Sequence, residues 1–143
     1  MISKLTADDR PRWAELWRGY LAFYETVLPE EVYQATWTRL VQDRSLHGFG
    51  LYRDGRMVGL VHYLFHESAW TPAQVCYLQD LFIDPTARGT GGGRTLIEAV
   101  AAAARARDAA KMYWQTQSHN ATARLLYDRL AKHRGFIRYD YPL

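Results

Sequence analysis

A chain of 143 residues with 48% hydrophobic and 14% aromatic residues can form one domain that buries roughly two-thirds of its unfolded surface, and its composition is neither that of a disordered chain nor that of a membrane-spanning one. The formal net charge of +3 is mild, without the dense basic stripe and docking motif of a nucleic-acid face. Cys76 is the only cysteine, which excludes an internal disulfide and any cysteine-based metal cluster.

Met1-Ile2-Ser3-Lys4 lacks the apolar run of a signal peptide, so a cytoplasmic protein is expected. Thr6-Ala7-Asp8-Asp9 offers capping oxygens and Pro11 suits a first helical turn. Trp13, Leu16, Trp17, Tyr20 and Tyr24 then recur at helical spacing and predict a helix with an aromatic stripe. A second helix is expected from Pro29 to about Asp43, with Val32, Thr36 and Leu40 as a weaker stripe. Residues 49–52 and 57–65 read as strands around the hairpin signal Asp54-Gly55. A loop is predicted over 67–74, a strand over 75–83 ending at Asp84-Pro85, and a helix from Gly92 to Arg107. Residues 111–116 read as a strand and 122–133 as a helix that Gly135 can end, and 136–141 alternates as a last strand. No repeat or linker interrupts residues 1–143, so one domain is expected. The order α-α-β-β-β-α-β-α-β implies a three-layer α/β fold. Its mixed central sheet begins with an antiparallel hairpin and later carries a β-α-β crossover.

The run Arg88-Gly89-Thr90-Gly91-Gly92-Gly93 joins a strand to a helix. Main-chain N–H groups are bare at a helix N-terminus, where the dipole favours negative charge, and glycines let the backbone approach a ligand closely. No Lys-Ser or Lys-Thr follows, as a Walker A loop requires, and Arg94 stands where a Rossmann fingerprint would need glycine. The run does fit Arg-x-x-Gly-x-Gly as Arg88, Gly91 and Gly93, and here the chain resembles the GNAT superfamily of acetyl-CoA-dependent N-acetyltransferases. Asn120-Ala121-Thr122-Ala123-Arg124-Leu125-Leu126-Tyr127 followed by Gly135-Phe136 is similar to that family's second cofactor segment. The segment Cys76-Tyr77-Leu78-Gln79-Asp80-Leu81-Phe82-Ile83-Asp84-Pro85 resembles the polyamine and small-amine branch, typified by spermidine/spermine and thialysine acetyltransferases. It also resembles the small fungal-type histone and D-amino-acid acetyltransferases.

The resemblance implies a GNAT-like fold and acetyl-CoA as co-substrate. Main-chain groups of Leu81, Phe82 and Ile83 would meet its pantetheine amides. Amides of Arg88, Gly89, Thr90, Gly91, Gly92, Gly93 and Arg94 would cradle its pyrophosphate, with Asn120 and Ala123 in the second cofactor segment. Tyr127 is implied as general acid for the departing thiolate, and Tyr24 with Glu25 as the site of the acceptor amine. Polyamine enzymes often carry Glu-Asp where this chain has Gln79-Asp80. Gln79 is no base, which leaves Asp80, Glu25 or a water-mediated route, and adjacent residues of a regular strand face opposite ways. Cys76 reads as a buried thiol without a catalytic part. A metal is not expected: His62 and His66 would lie about 13 Å apart on a strand at roughly 3.3 Å per residue. The implied acceptors are a small-molecule amine (a polyamine, a thialysine-like amino acid or a D-amino acid) or a lysine-bearing peptide, with neither nucleic acid nor membrane as partner. A relative using a longer acyl-CoA, a non-catalytic acyl-CoA sensor and a DNA-binding module are the alternatives. Tyr127 speaks against the sensor, and the lack of a basic recognition helix against the module. A terminal strand at a sheet edge is an association hazard, so a homodimer with that strand at or near its interface is expected.

Overall fold

The computed structural model describes all 143 residues. Its sheet has five strands in the order β1 (Ile2–Lys4), β2 (His47–Arg53), β3 (Arg56–Ser68), β4 (Thr71–Ile83) and β5 (Met112–Tyr113). Neighbours are antiparallel except β4 and β5, which run parallel. Helices α1 (Arg10–Phe23) and α2 (Glu30–Gln42) cover one face, where Trp13, Leu16, Trp17, Trp37 and Leu40 pack with Leu60 and Phe82 of the sheet. On the other face α3 (Gly92–Ala106) presses Leu96, Ile97 and Val100 onto Val61, Cys76, Leu78 and Ile83. Beside it, α4 (Ala121–Leu130) adds Leu126, Tyr127 and Leu130. This is the expected mixed sheet between two helical layers. No helix is long and apolar enough to cross a membrane.

Several elements differ from the sequence reading, each for a tertiary reason. Strand β1 was not anticipated: three residues carry no periodicity, and it exists because Met1 and Tyr52 exchange main-chain hydrogen bonds at 2.8 and 2.9 Å. Helix α2 buries Tyr33, Trp37 and Leu40 rather than Val32 and Thr36. The larger rings win the inward face by packing on Trp13, with centroids 6.0 and 5.0 Å from it. The stretch read as a loop over 67–74 is mostly strand, because the β3–β4 ladder extends to the pair Ser68↔Thr71. Helix α4 stops at Leu130, short of His133, and β5 keeps only two residues of the predicted 111–116.

The expected last strand over 136–141 does not form. Its alternation is present, but a strand also needs an edge to pair with. Beyond Ala131 the chain makes no main-chain hydrogen bond. Phe136, Ile137, Tyr139 and Tyr141 are 75–87% exposed, and Arg138 reaches the body only through its guanidinium and Gln115, at 3.4 Å.

Strand β4 carries a bulge that decides which side chains enter which layer. Opposite Tyr63 stands Leu78 and opposite His62 stands Asp80, so Gln79 has no partner of its own. Before the bulge Cys76 and Leu78 face α3; after it Leu81 and Ile83 do, while Phe82 faces α1. Asp80 is thereby moved to the α1 face, opposite its orientation in a regular strand.

The far end of β4 is pinned to α1. Arg12 donates to Asp84 Oδ2 at 2.5 Å and to Met57 O at 2.9 Å. Asp84 accepts the N–H and hydroxyl of Thr86 as well, and these bonds together with Arg12 hold its carboxyl down to about 2. A depressed carboxyl stabilises the fold above its unfolded pKa near 4, by about 2 kcal/mol, and that contribution disappears as pH falls toward 2. Asp84→Asn should therefore lower the unfolding free energy by about 2 kcal/mol at pH 7. The gap between variant and parent should close between roughly pH 4 and pH 2, as followed by urea titrations at a series of pH values.

Candidate functional site

Strand β4 is paired unequally along its two edges. Strand β3 bonds it from Thr71 to Ile83, whereas β5 pairs only with Cys76 and Tyr77. Past Tyr77 the two parallel strands separate, and the outer edge of residues 78–83 has no strand beside it. Phe82 and Ile83 anchor this stretch in opposite cores, and Arg88 Nε donates to Ile83 O at 3.1 Å while its guanidinium lies 5.4 Å over the Phe82 ring. An extended segment with free main-chain donors and acceptors can take up a ligand that carries amides of its own.

The glycine run lies at the N-terminus of α3. Gly89 and Gly91 adopt φ of 76° and 83°, and Gly91 is the N-cap. None of the N–H groups of residues 88–94 donates a hydrogen bond within the chain. At Gly92 a Cβ would stand 2.8 Å from Leu51 Cδ2 and 3.2 Å from Ile83 Cδ1, so any larger residue there makes the Leu51 side chain shift. Arg53, which the sequence reading passed over, holds the loop by donating to Thr90 Oγ1 and, at 3.3 Å, to Ala87 O and Thr90 O. Thr90 Oγ1 donates in turn to Ala87 O at 2.9 Å, and Arg94 pairs with Glu98 at 2.8 Å on the exposed side of the helix. The cluster of bare N–H groups at the positive end of the helix suits the phosphates of a nucleotide-like ligand.

Helix α4 borders the opening. Asn120 caps it, with Oδ1 accepting from Ala123 N at 3.5 Å and Nδ2 donating to Thr116 Oγ1 at 3.3 Å. Tyr127 sits half-buried with its ring against Trp114, centroids 5.4 Å apart. Burial first, and then the nearness of Tyr24, raise its phenol above the ordinary tyrosine value, so it stays protonated at neutral pH.

On the α1 face, Trp13 Nε1–H donates to His62 Nε2 at 3.0 Å, and His62 Nδ1 lies 3.0 Å from Asp80 Oδ2. Trp17 stacks on Tyr20 with centroids 4.9 Å apart, and Tyr24 follows at 5.0 Å from Tyr20. The Tyr20 hydroxyl faces Asp80: burial, then that carboxylate, raise its pKa strongly. Burial followed by Asp80 also raises Tyr24 and Tyr77 above the usual tyrosine value. Tyr24 is thus within electrostatic reach of both Asp80 and Tyr127 and joins the two layers at the point where the sheet opens.

The predicted residues divide accordingly. Asp80, Tyr24 and Tyr127 come together around the opening, with the edge at Leu81, Phe82 and Ile83 and the run from Arg88 to Arg94. Glu25, with φ of 53°, lines a cleft of about 280 Å³ between α1 and α2, alongside Arg18 and Glu30. Cys76 is fully buried, and burial pushes its thiol up to about 11. Sequence reasoning missed His62 and Tyr20. Tyr20 belongs to the aromatic stripe, and only a cross-strand pairing of His62 with Asp80 would have singled out the histidine.

The sequence matches the acetyltransferase (GNAT) family over residues 12–132. It is 33% identical over 135 residues to the D-amino-acid N-acetyltransferase HPA3 of Saccharomyces cerevisiae, covering 92% of this chain and 83% of that one. It is 27% identical to the thialysine N-epsilon-acetyltransferase of Caenorhabditis elegans, covering 69% of this chain and 64% of the relative. Among solved structures, AAC(6')-Iy in complex with the bisubstrate analog CoA-S-monomethyl-acetylneamine superposes with a TM-score of 0.87 at 16% identity, covering 100% of this chain and 97% of the other.

The glycine geometry makes two separable predictions. Gly91→Ala meets no steric neighbour and should cost about 1–2 kcal/mol through its left-handed backbone alone, less for Gly91→Asn. Gly92→Leu should cost about 1–3 kcal/mol by forcing α3 away from Leu51. Urea unfolding of the three variants measures both effects.

Proposed function

Because the chain belongs to the GNAT acetyltransferase family, it is an acetyl-CoA-dependent N-acetyltransferase, and we propose that its acceptor is the amino group of a free amino acid or amino-acid-like small amine. The observation that carries this reading is the meeting of Asp80, Tyr20, Tyr24 and Tyr77 beside the open edge of β4. A carboxylate set among tyrosine hydroxyls suits an ammonium group through charge and hydrogen bonding. The names of the yeast and nematode relatives point the same way, since both specify amines borne on amino acids.

The bare N–H groups of residues 88–94 fit the pyrophosphate of acetyl-CoA, and the outer edge at Leu81, Phe82 and Ile83 fits its pantetheine amides, with Asn120 and Ala123 at the head of α4 alongside. Acetyl-CoA supplies an activated acyl carbon and a thiolate leaving group. Asp80 acts as the base that takes a proton from the bound ammonium and so frees the nitrogen lone pair for attack. Tyr127 acts as the acid: its half-buried phenol is neutral at physiological pH and donates its proton to the departing sulfur. Direct transfer to the amine needs no protein nucleophile, consistent with a Cys76 thiol buried in the α3-side core.

The reading extends to a homodimer. The C-terminal segment carries Phe136, Ile137, Tyr139, Tyr141 and Leu143 exposed, and β5 leaves one edge of the sheet open. A second copy would cover both.

An acceptor panel of D- and L-amino acids, thialysine, spermidine and a lysine peptide, followed by release of free thiol from acetyl-CoA, tests the acceptor class. The highest kcat/KM is expected among the amino-acid-like amines; a peptide or spermidine preference would overturn the assignment. Tyr127→Phe should lower kcat about 10²-fold with acetyl-CoA affinity unchanged. Asp80→Asn should lower kcat/KM for the amine about 10²-fold with KM for acetyl-CoA unchanged. Light scattering at micromolar concentration should give twice the chain mass, and truncation after Arg134 should give the monomer.

A further inference from the structure

The geometry points to His62 as a positioning residue: Trp13 fixes its tautomer, and His62 in turn holds Asp80 as an uncompensated carboxylate facing the acceptor amine. The inference rests on the reading of Asp80 as the base and goes beyond it by naming what keeps that base competent.

An indole N–H donates and cannot accept. Trp13 Nε1 stands 3.0 Å from His62 Nε2, so that nitrogen must present its lone pair and the ring proton must sit on Nδ1. Nδ1–H is then aimed at Asp80 Oδ2, 3.0 Å away. Trp13 is 0% and His62 1% exposed, so water does not compete for either nitrogen. A second proton on the ring would set N–H against N–H in a dry core. Trp17, whose ring lies 4.9 Å from the imidazole, has its own N–H buried without a partner.

The consequence is electrostatic. Were His62 an imidazolium, it would form an ion pair with Asp80 and cancel the charge that attracts the ammonium. As a neutral donor it orients Oδ2 and leaves the charge in place. The other titratable groups facing Asp80 are Tyr20 and Tyr24 from α1 and Tyr77 from β4, all raised above the usual tyrosine value and so neutral between pH 6 and 9. Asp80 has no lysine or arginine in an ion pair; His62 is its partner. In the reaction the ammonium gives one proton to Asp80, which passes it to water. The N–C bond forms as the C–S bond breaks, and the second amine proton balances the one Tyr127 gives the sulfur. The net products are amide, thiol and one released proton.

Long-range ¹⁵N correlation of the histidine rings in the full chain, assigned with His62→Gln, tests the tautomer without reference to activity. A neutral ring with its proton on Nδ1 is expected for His62 at pH 7; an Nε2–H ring or an imidazolium overturns the inference. His62→Leu removes both hydrogen bonds and should lower kcat/KM for the amine about 10²-fold with KM for acetyl-CoA unchanged. His62→Gln keeps an acceptor for Trp13 and a donor for Asp80 and should recover most of that loss. Trp13→Phe removes the donor to Nε2, so the ring spectrum should show His62 no longer confined to the Nδ1–H tautomer. A folded His62→Leu with the wild-type kcat/KM for the amine overturns the positioning role if Asp80→Asn has lost that value. If Asp80→Asn keeps it, the base reading has failed instead, and the ring spectrum separates the two cases.

Discussion

Strand β4 is held along one edge over its whole length and along the other only from Gln74 to Tyr77. The site depends on that inequality. The parallel partner β5 arrives through α3, and a crossover helix that packs Leu96, Ile97 and Val100 onto the sheet delivers the next strand beside the first half of β4. From Leu78 onward the main chain of β4 therefore faces an opening instead of a neighbour. The N-terminus of α3 lies at the same end because Gly92 packs against Leu51 and Ile83. A wedge between strands and a cluster of bare helix N–H groups are thus two results of one crossover.

The bulge at Gln79 does the complementary work on the α1 face. It gives up one position of ladder regularity and turns Asp80 from the α3 layer toward His62. Without it the carboxylate would point among aliphatic side chains, where a charge without a partner is costly. The bulge also reconciles two demands on the strand: Leu78 must fill one core and Asp80 must reach the other layer, although they are two residues apart.

Helix α1 serves the core and the site with one stripe. Trp13 and Trp17 lie in the core, and Tyr20 and Tyr24 continue the same face to the opening, each ring packed against the next. Polarity rises along the stripe as burial falls, so the hydrogen-bonding ends of the rings appear where a polar ligand can meet them. Arg12 at the start of the helix and its bond to Asp84 tie the stripe to the far end of β4, so the tyrosines and the open edge are parts of one rigid unit.

Local patterns were readable wherever the chemistry is local. The glycine run needs its residue types in sequence to set φ and leave N–H groups bare, Asn120 must precede its helix to cap it, and the aromatic stripe repeats with the helical period. Alternation alone could not deliver a strand over 136–141, since a strand exists only where an edge receives it, nor could it reveal β1, which owes its place to the main chain of β2. The roles of His62, Arg53 and Gln79 were invisible for a further reason: each depends on register between strands or on a partner far away in the chain. The order of elements and the phosphate-suited loop were determined by the sequence itself, because backbone dihedrals and periodicity are written in neighbouring residues. Which face Asp80 takes, which tyrosines surround it and where the sheet opens were decided by the tertiary structure, because a single bulge reverses every side chain beyond it and no neighbouring residue records that reversal.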